Sequence, residues 1–111
     1  MNILLGVCGS ISAYRSLDIC RGLAKNGHQV KVVLTRGALE FVKPEVFSYL
    51  GADEVFRPLD DFNTQAAKNR NVLHIELSKW ADRLVIAPAS ANSLAKMSNG
   101  LCDDLLTSIF L

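Results

Sequence analysis

The apolar pattern opens with a nearly continuous hydrophobic run over residues 3–8, closed by Gly9. So short a run without polar alternation suits a strand covered on both faces, as in a parallel sheet. From Ser10 onward the period changes. Ala13, Leu17, Cys20 and Ala24 fall on one face of a helix, and Asn26-Gly27 closes it with residues that tolerate left-handed dihedrals. Residues 28–34, carrying Val30, Val32, Val33 and Leu34, predict a second strand. Strand, glycine turn, amphipathic helix and strand make a βαβ unit.

Two short helices are expected over residues 38–42 and 45–50, separated by Pro44, which removes a backbone donor and restricts its predecessor. Val55 and Phe56 predict a minor strand. Residues 58–71 form a long polar stretch, which inside a compact domain reads as a functional or mobile loop. A helix over 75–80, a strand over 84–87 ended by Pro88, and a helix over 90–99 follow. Asp103 is expected to open a last helix through Leu105, Leu106, Ile109 and Phe110. Because Ile109-Phe110-Leu111 is apolar and carries no cap, the expectation is the front portion of a larger domain, or an end covered by another chain.

Composition narrows the class. The 111 residues are 50% hydrophobic and 21% charged, which fits one folded domain (1–111) and excludes a disordered tail. A formal charge of +1 leaves no electrostatic footprint for nucleic acid or an anionic membrane. The opening run lacks the basic flank of a signal peptide, and no stretch has the length of a bilayer span. Cys8, Cys20 and Cys102 are odd in number and show no metal-ligand spacing, so neither a disulfide framework nor a metal site is expected, and a cytoplasmic location is.

Four places carry candidate chemistry. Gly9-Ser10-Ile11-Ser12 lies where the first strand turns into the first helix, where glycine permits close approach and free N–H groups favour a phosphate. The dinucleotide fingerprint G-x-G-x-x-G and a Walker lysine are both absent. Thr35 and Phe41 follow the second strand and are placed to line a ligand beyond the strand ends, although a helix cap and a core aromatic explain them as well. Pro88-Ala89-Ser90-Ala91-Asn92-Ser93 sets small and polar residues after another strand, with room for a flat polar ring; a proline stop and a serine cap is the plainer alternative. Two such turns on one sheet favour a shared ligand. His74 has acid/base neighbours and is the candidate proton shuttle, against a purely structural role. His28, Tyr14, Trp80 and Cys8 read as structural or packing residues.

Taken together, Gly9-Ser10-Ile11-Ser12-Ala13-Tyr14, Leu34-Thr35, His74-Ile75-Glu76-Leu77 with Trp80-Ala81-Asp82, Ala87-Pro88-Ala89-Ser90-Ala91-Asn92-Ser93 and Gly100-Leu101-Cys102-Asp103-Asp104-Leu105-Leu106 closely resemble the FMN-binding cysteine decarboxylase family. The resemblance covers essentially the whole chain. It implies an α/β, flavodoxin-like (Rossmann-like) doubly wound parallel sheet, truncated at its C-terminus, in homotrimers or dodecamers with FMN at the subunit boundary. By position it gives Gly9, Ser10, Ile11, Thr35, Phe41, Ser90, Ala91, Asn92 and Ser93 to the flavin, His74 to catalysis, and Asn92 also to the substrate carboxylate. Ser93 stands where the family pattern has threonine, which preserves the hydroxyl. The implied reaction is decarboxylation of 4'-phosphopantothenoylcysteine to 4'-phosphopantetheine in coenzyme A biosynthesis, with FMN as electron sink. The alternatives are a related peptidyl-cysteine decarboxylase and a non-catalytic, regulatory FMN-binding subunit. The family's later P-x-M-N motif and proton-donating cysteine have no counterpart here, and Cys102 does not align with that cysteine. Two expectations account for this: a companion chain carrying those motifs or the synthetase, or a sequence cut short of them.

Overall fold

The computed structural model describes residues 1–60 and 73–110. The polar stretch expected over 58–71 lies outside the described residues from position 61, as does Leu111. Four parallel strands, β1 (Asn2–Val7), β2 (Gln29–Leu34), β3 (Glu54–Phe56) and β4 (Arg83–Ile86), form one sheet in the order β3-β2-β1-β4. Five α-helices are described: α1 (Arg15–Lys25), α2 (Pro44–Tyr49), α3 (Leu73–Trp80), α4 (Ala91–Ser98) and α5 (Leu105–Phe110). Apart from the three-residue β3, the order runs second, first, next, as in flavodoxin-like folds; β3 extends it to the Rossmann order. The winding direction reverses between β1 and β4, and such a switch point leaves a crevice beyond the carboxyl ends of the two strands.

Side chains alternate across the sheet. Leu5, Val7, Val30, Val32 and Leu34 point into one core with Ala13, Cys20 and Phe47 from α1, α2 and the turn before α1. Leu4, Cys8, Val33 and Phe56 point into the other, with Leu73, Leu77, Met97, Leu105, Leu106 and Ile109 from α3, α4 and α5. Burying each Leu or Val contributes about 1.5–3 kcal/mol, and this, rather than helix propensity, holds the short helices in place. Gly6 lets α5 come close, since a Cβ there would lie 2.8 Å from a Leu106 methyl.

Three sequence expectations change. The first helix does not start directly at Ser10: a 3-10 turn (Ile11–Tyr14) precedes α1, and the buried Ser16 hydroxyl donates to the Ala13 carbonyl at their junction. Tyr14 is not a packing residue, for it is 57% exposed. Asp103 does not cap the last helix. Asp104 does, its Oδ1 accepting from Thr107 N at 2.9 Å and Thr107 Oγ1 at 2.7 Å. At the amino edge of the sheet, the half-buried Trp80 packs on the second core with Lys31 Nζ 4.3 Å from its ring centre, and His28 Nδ1 sits 3.2 Å from the Met1 amino group.

Candidate functional site

Three turns meet at the carboxyl edge, and the sheet hydrogen bonds run on into them. Cys8 N donates to Pro88 O at 3.0 Å, Thr35 N to Val7 O at 3.0 Å, and Ala87 N to Gly6 O at 2.9 Å. The turns after β1, β2 and β4 are thereby fixed to one another. Gly9 tightens the arrangement. A Cβ there would come within 2.7 Å of the Cα and the carbonyl carbon of Gly37, so two glycine backbones pass where no side chain fits. Among the described residues, the close approach that Gly9 permits is made by the turn after β2.

Ser10 is extended and caps the 3-10 turn, its Oγ accepting from Ser12 N at 3.2 Å. Ile11, next to it, is 77% exposed, an apolar side chain standing in solvent at the mouth of the site. Thr35 is buried and its Oγ1 accepts from Ala38 N at 3.3 Å, while Phe41 packs half-buried against the first core; each fills the structural role that its sequence also allowed. The Ala87–Pro88 peptide is cis. Ser90 caps α4, accepting from Ser93 N at 3.1 Å. Ser93 is buried, whereas Ala91 and Asn92 are exposed, leaving the Asn92 amide open to a ligand.

His74 comes from a helix rather than from one of these turns. It lies in the first turn of α3, half-buried, in a cleft of about 590 Å³ shared with Ile75, Ser78, Lys79, Cys102, Ser108 and Ile109. Ser78 Oγ donates to the His74 carbonyl at 2.7 Å. The far end of α3 leads into the amino edge of the sheet, where Asp82 N donates to Asn2 O at 2.8 Å. Six residues of helix set His74 about 9 Å back from that end along the axis. Cys102, a thiol that the sequence left without a role, lines the same cleft. Cys8 and Cys20 are fully buried, and burial pushes the Cys20 thiol above its ordinary value.

Sequence reasoning also missed Gly37 and a charged recess of about 180 Å³ formed by Arg36, Pro58, Leu59, Lys96, Asp103 and Asp104. Thr35-Arg36-Gly37 follows a strand just as Gly9-Ser10 does, and that repetition was the available signal. Among the described residues no group of three or more His, Cys, Asp or Glu side chains is placed to hold a metal, and no helix is long and apolar enough to cross a membrane.

A doubly wound sheet with turns joined across its switch point defines a nucleotide-binding class of α/β fold. The Flavoprotein family model matches residues 1–111, and the chain belongs to that family. It is 41% identical over 109 residues to the coenzyme A biosynthesis bifunctional protein CoaBC of Vibrio parahaemolyticus, covering 98% of this chain and 26% of that protein. The chain thus spans about a quarter of the length of the CoaBC relatives it matches. Among solved structures, the PPC decarboxylase mutant C175S superposes with a TM-score of 0.79 at 37% identity, over 98% of this chain and 61% of that one. The FMN binding protein AtHal3 superposes with a TM-score of 0.79 at 37% identity, over 98% and 57%. The fold is the flavodoxin-like fold of these proteins.

Proposed function

We propose that this chain is the FMN-binding part of a decarboxylase that converts 4'-phosphopantothenoylcysteine to 4'-phosphopantetheine in coenzyme A biosynthesis. The observation that carries the reading is the junction of three strand-end turns at the switch point of a Flavoprotein-family sheet, with Cys8 hydrogen-bonded to Pro88. The residues present suit FMN. Ser10 and Ser90 set hydroxyls at two helix starts, Asn92 offers an amide, and exposed Ile11 offers an apolar surface to a flat ring. When bound, FMN supplies the electron sink that loss of carbon dioxide from a cysteine requires.

The chain's own residues bind and move protons. Gly9, Ser10, Ile11, Thr35, Phe41, Ser90, Ala91, Asn92 and Ser93 form the flavin site. The Asn92 amide donates to the substrate carboxylate and orients it. His74 holds and returns the proton at the cysteinyl sulfur. Among the described residues the cleft that His74 lines shares no residue with the three turns, and a further element completes the site, either a second copy in a homotrimer or dodecamer, or a segment of the kind the longer relatives carry. The proposed location is the cytoplasm.

The test combines spectrum and turnover. Purified chain mixed with FMN and then desalted is expected to keep the yellow flavin and to run as a trimer or larger. Together with the companion segment it should release carbon dioxide from 4'-phosphopantothenoylcysteine. His74→Asn should retain the flavin and lose at least about a hundredfold in carbon dioxide release. A chain that takes up no FMN overturns the reading, and full activity in the variant removes His74 from it. Flavin binding without decarboxylation would favour the regulatory subunit.

A further inference from the structure

The charged recess lies beside the three turns. Arg36 enters it from the turn after β2, Pro58 and Leu59 from the chain following β3, Lys96 from the last turn of α4, and Asp103 and Asp104 from the segment that opens α5. It is pinned in shape, since Leu105 N donates to Pro58 O at 2.8 Å and Asp104 turns its Oδ1 onto the Thr107 hydroxyl and N–H. Its four charged groups are not equally engaged. Asp104 is committed to its helix cap. Lys96 Nζ meets Asp103 Oδ2 at 3.0 Å, with the Asp103 side chain 59% exposed. Arg36 is exposed and makes no ion pair or side-chain hydrogen bond among the described residues.

One uncommitted guanidinium and one ammonium held only by an exposed carboxylate face a cavity of about 180 Å³, the volume of about six waters. An exposed ion pair of this kind contributes little, so a better anion displaces it at little cost. A phosphate monoester is such an anion. It carries up to two charges, accepts a bidentate pair from arginine, and has oxygens left for an ammonium.

We propose that Arg36 and Lys96 form a subsite for the phosphate of a phosphorylated substrate, with Asp103 as the internal counter-ion that yields Lys96 when the phosphate arrives. The inference rests on the function proposed above, because it assigns the recess to the phosphorylated end of that substrate, away from the reacting cysteine. It makes Lys96 and Arg36 specificity residues for phosphorylated over unphosphorylated compounds, and Asp103 a brake on affinity.

Calorimetric titration of the 111-residue chain with 4'-phosphopantothenate, pantothenate and inorganic phosphate, with and without saturating FMN, tests this without any turnover. The expected result is tighter binding of 4'-phosphopantothenate than of pantothenate, unchanged by FMN. Arg36→Met and Lys96→Met should each weaken it about tenfold, and Asp103→Asn should tighten it about threefold. Far-ultraviolet circular dichroism confirms that each variant is folded. Equal affinity for pantothenate, or variants without effect, overturns the subsite. Loss of 4'-phosphopantothenate binding when FMN is present also overturns it, because the recess then serves the phosphate of the flavin. Each of these failures leaves flavin binding and decarboxylation standing, so the two readings fail separately.

Discussion

At the scale of single residues, two glycines a few ångströms apart decide how the carboxyl edge is built. Gly9 has no alternative: a Cβ would meet two backbone atoms of Gly37 at 2.7 Å, and backbone cannot rotate aside as a side chain can. Gly22, inside α1, has nothing within 4 Å of its Cβ position. The same substitution therefore has opposite signs at the two sites. Gly9→Ala is expected to destabilise the fold by about 1–3 kcal/mol through overpacking and to push apart the turns after β1 and β2. Gly22→Ala, in an unstrained helix interior, should stabilise it by about 0.5–1 kcal/mol. Urea denaturation of both variants measures the pair. A neutral Gly9→Ala would mean that the Gly9–Gly37 contact does not hold the site.

At the scale of elements, α5 shows how a short helix is kept. Six residues cannot hold a helix in water by themselves, so the segment depends on its cap and its buried face. The cap is reciprocal, since Thr107 N donates to Asp104 Oδ1 while Asp104 N donates to Thr107 Oγ1 at 3.3 Å, all of it buried. Asp104→Ala is expected to cost about 1–2 kcal/mol, and Asp104→Asn, which keeps an acceptor, only a fraction of that. Thermal unfolding of the two variants checks this; equal losses would show that the charge matters rather than the cap. Periodicity located α5 but not its cap, because Asp103 and Asp104 are both good capping residues in sequence and only the burial of Thr107 picks between them. The same limit appears elsewhere. Strand and helix positions were legible because the parallel sheet leaves apolar runs and the helices leave one-sided patterns. Tyr14 was misread because aromatics usually pack, and a side chain left exposed carries no mark in the sequence. The turns after β1 and β4 were legible as neighbours in a candidate site from their glycine, serine and proline, and Cys8 N donating to Pro88 O shows that they adjoin. In the third turn Thr35 was legible as a candidate, but Arg36 and Gly37 were not, because their contacts come from residues distant in the chain.

At the scale of the whole molecule, two cores lie on opposite faces of one sheet, and the turns after β1, β2 and β4 are where loops belonging to both cores touch. A ligand held by all three turns couples the cores, so its binding energy enters global unfolding rather than a local opening. At a concentration one hundred times its dissociation constant, a ligand that binds only the folded chain adds about 2.7 kcal/mol. For a domain of this size each kcal/mol moves the midpoint by about 4 °C or somewhat more, so saturating FMN should raise it by about 10 °C in a single transition. Riboflavin, which lacks the phosphate, should raise it less. Asn92→Ala removes an exposed side chain, and should leave the midpoint without FMN within about 2 °C of the parent while reducing the shift that FMN causes. Differential scanning calorimetry of parent and variant, each with FMN, riboflavin and neither, reads these quantities together. A midpoint indifferent to FMN would separate the three turns from flavin binding, whereas an FMN shift that splits the transition in two would show that the ligand is held by one core alone.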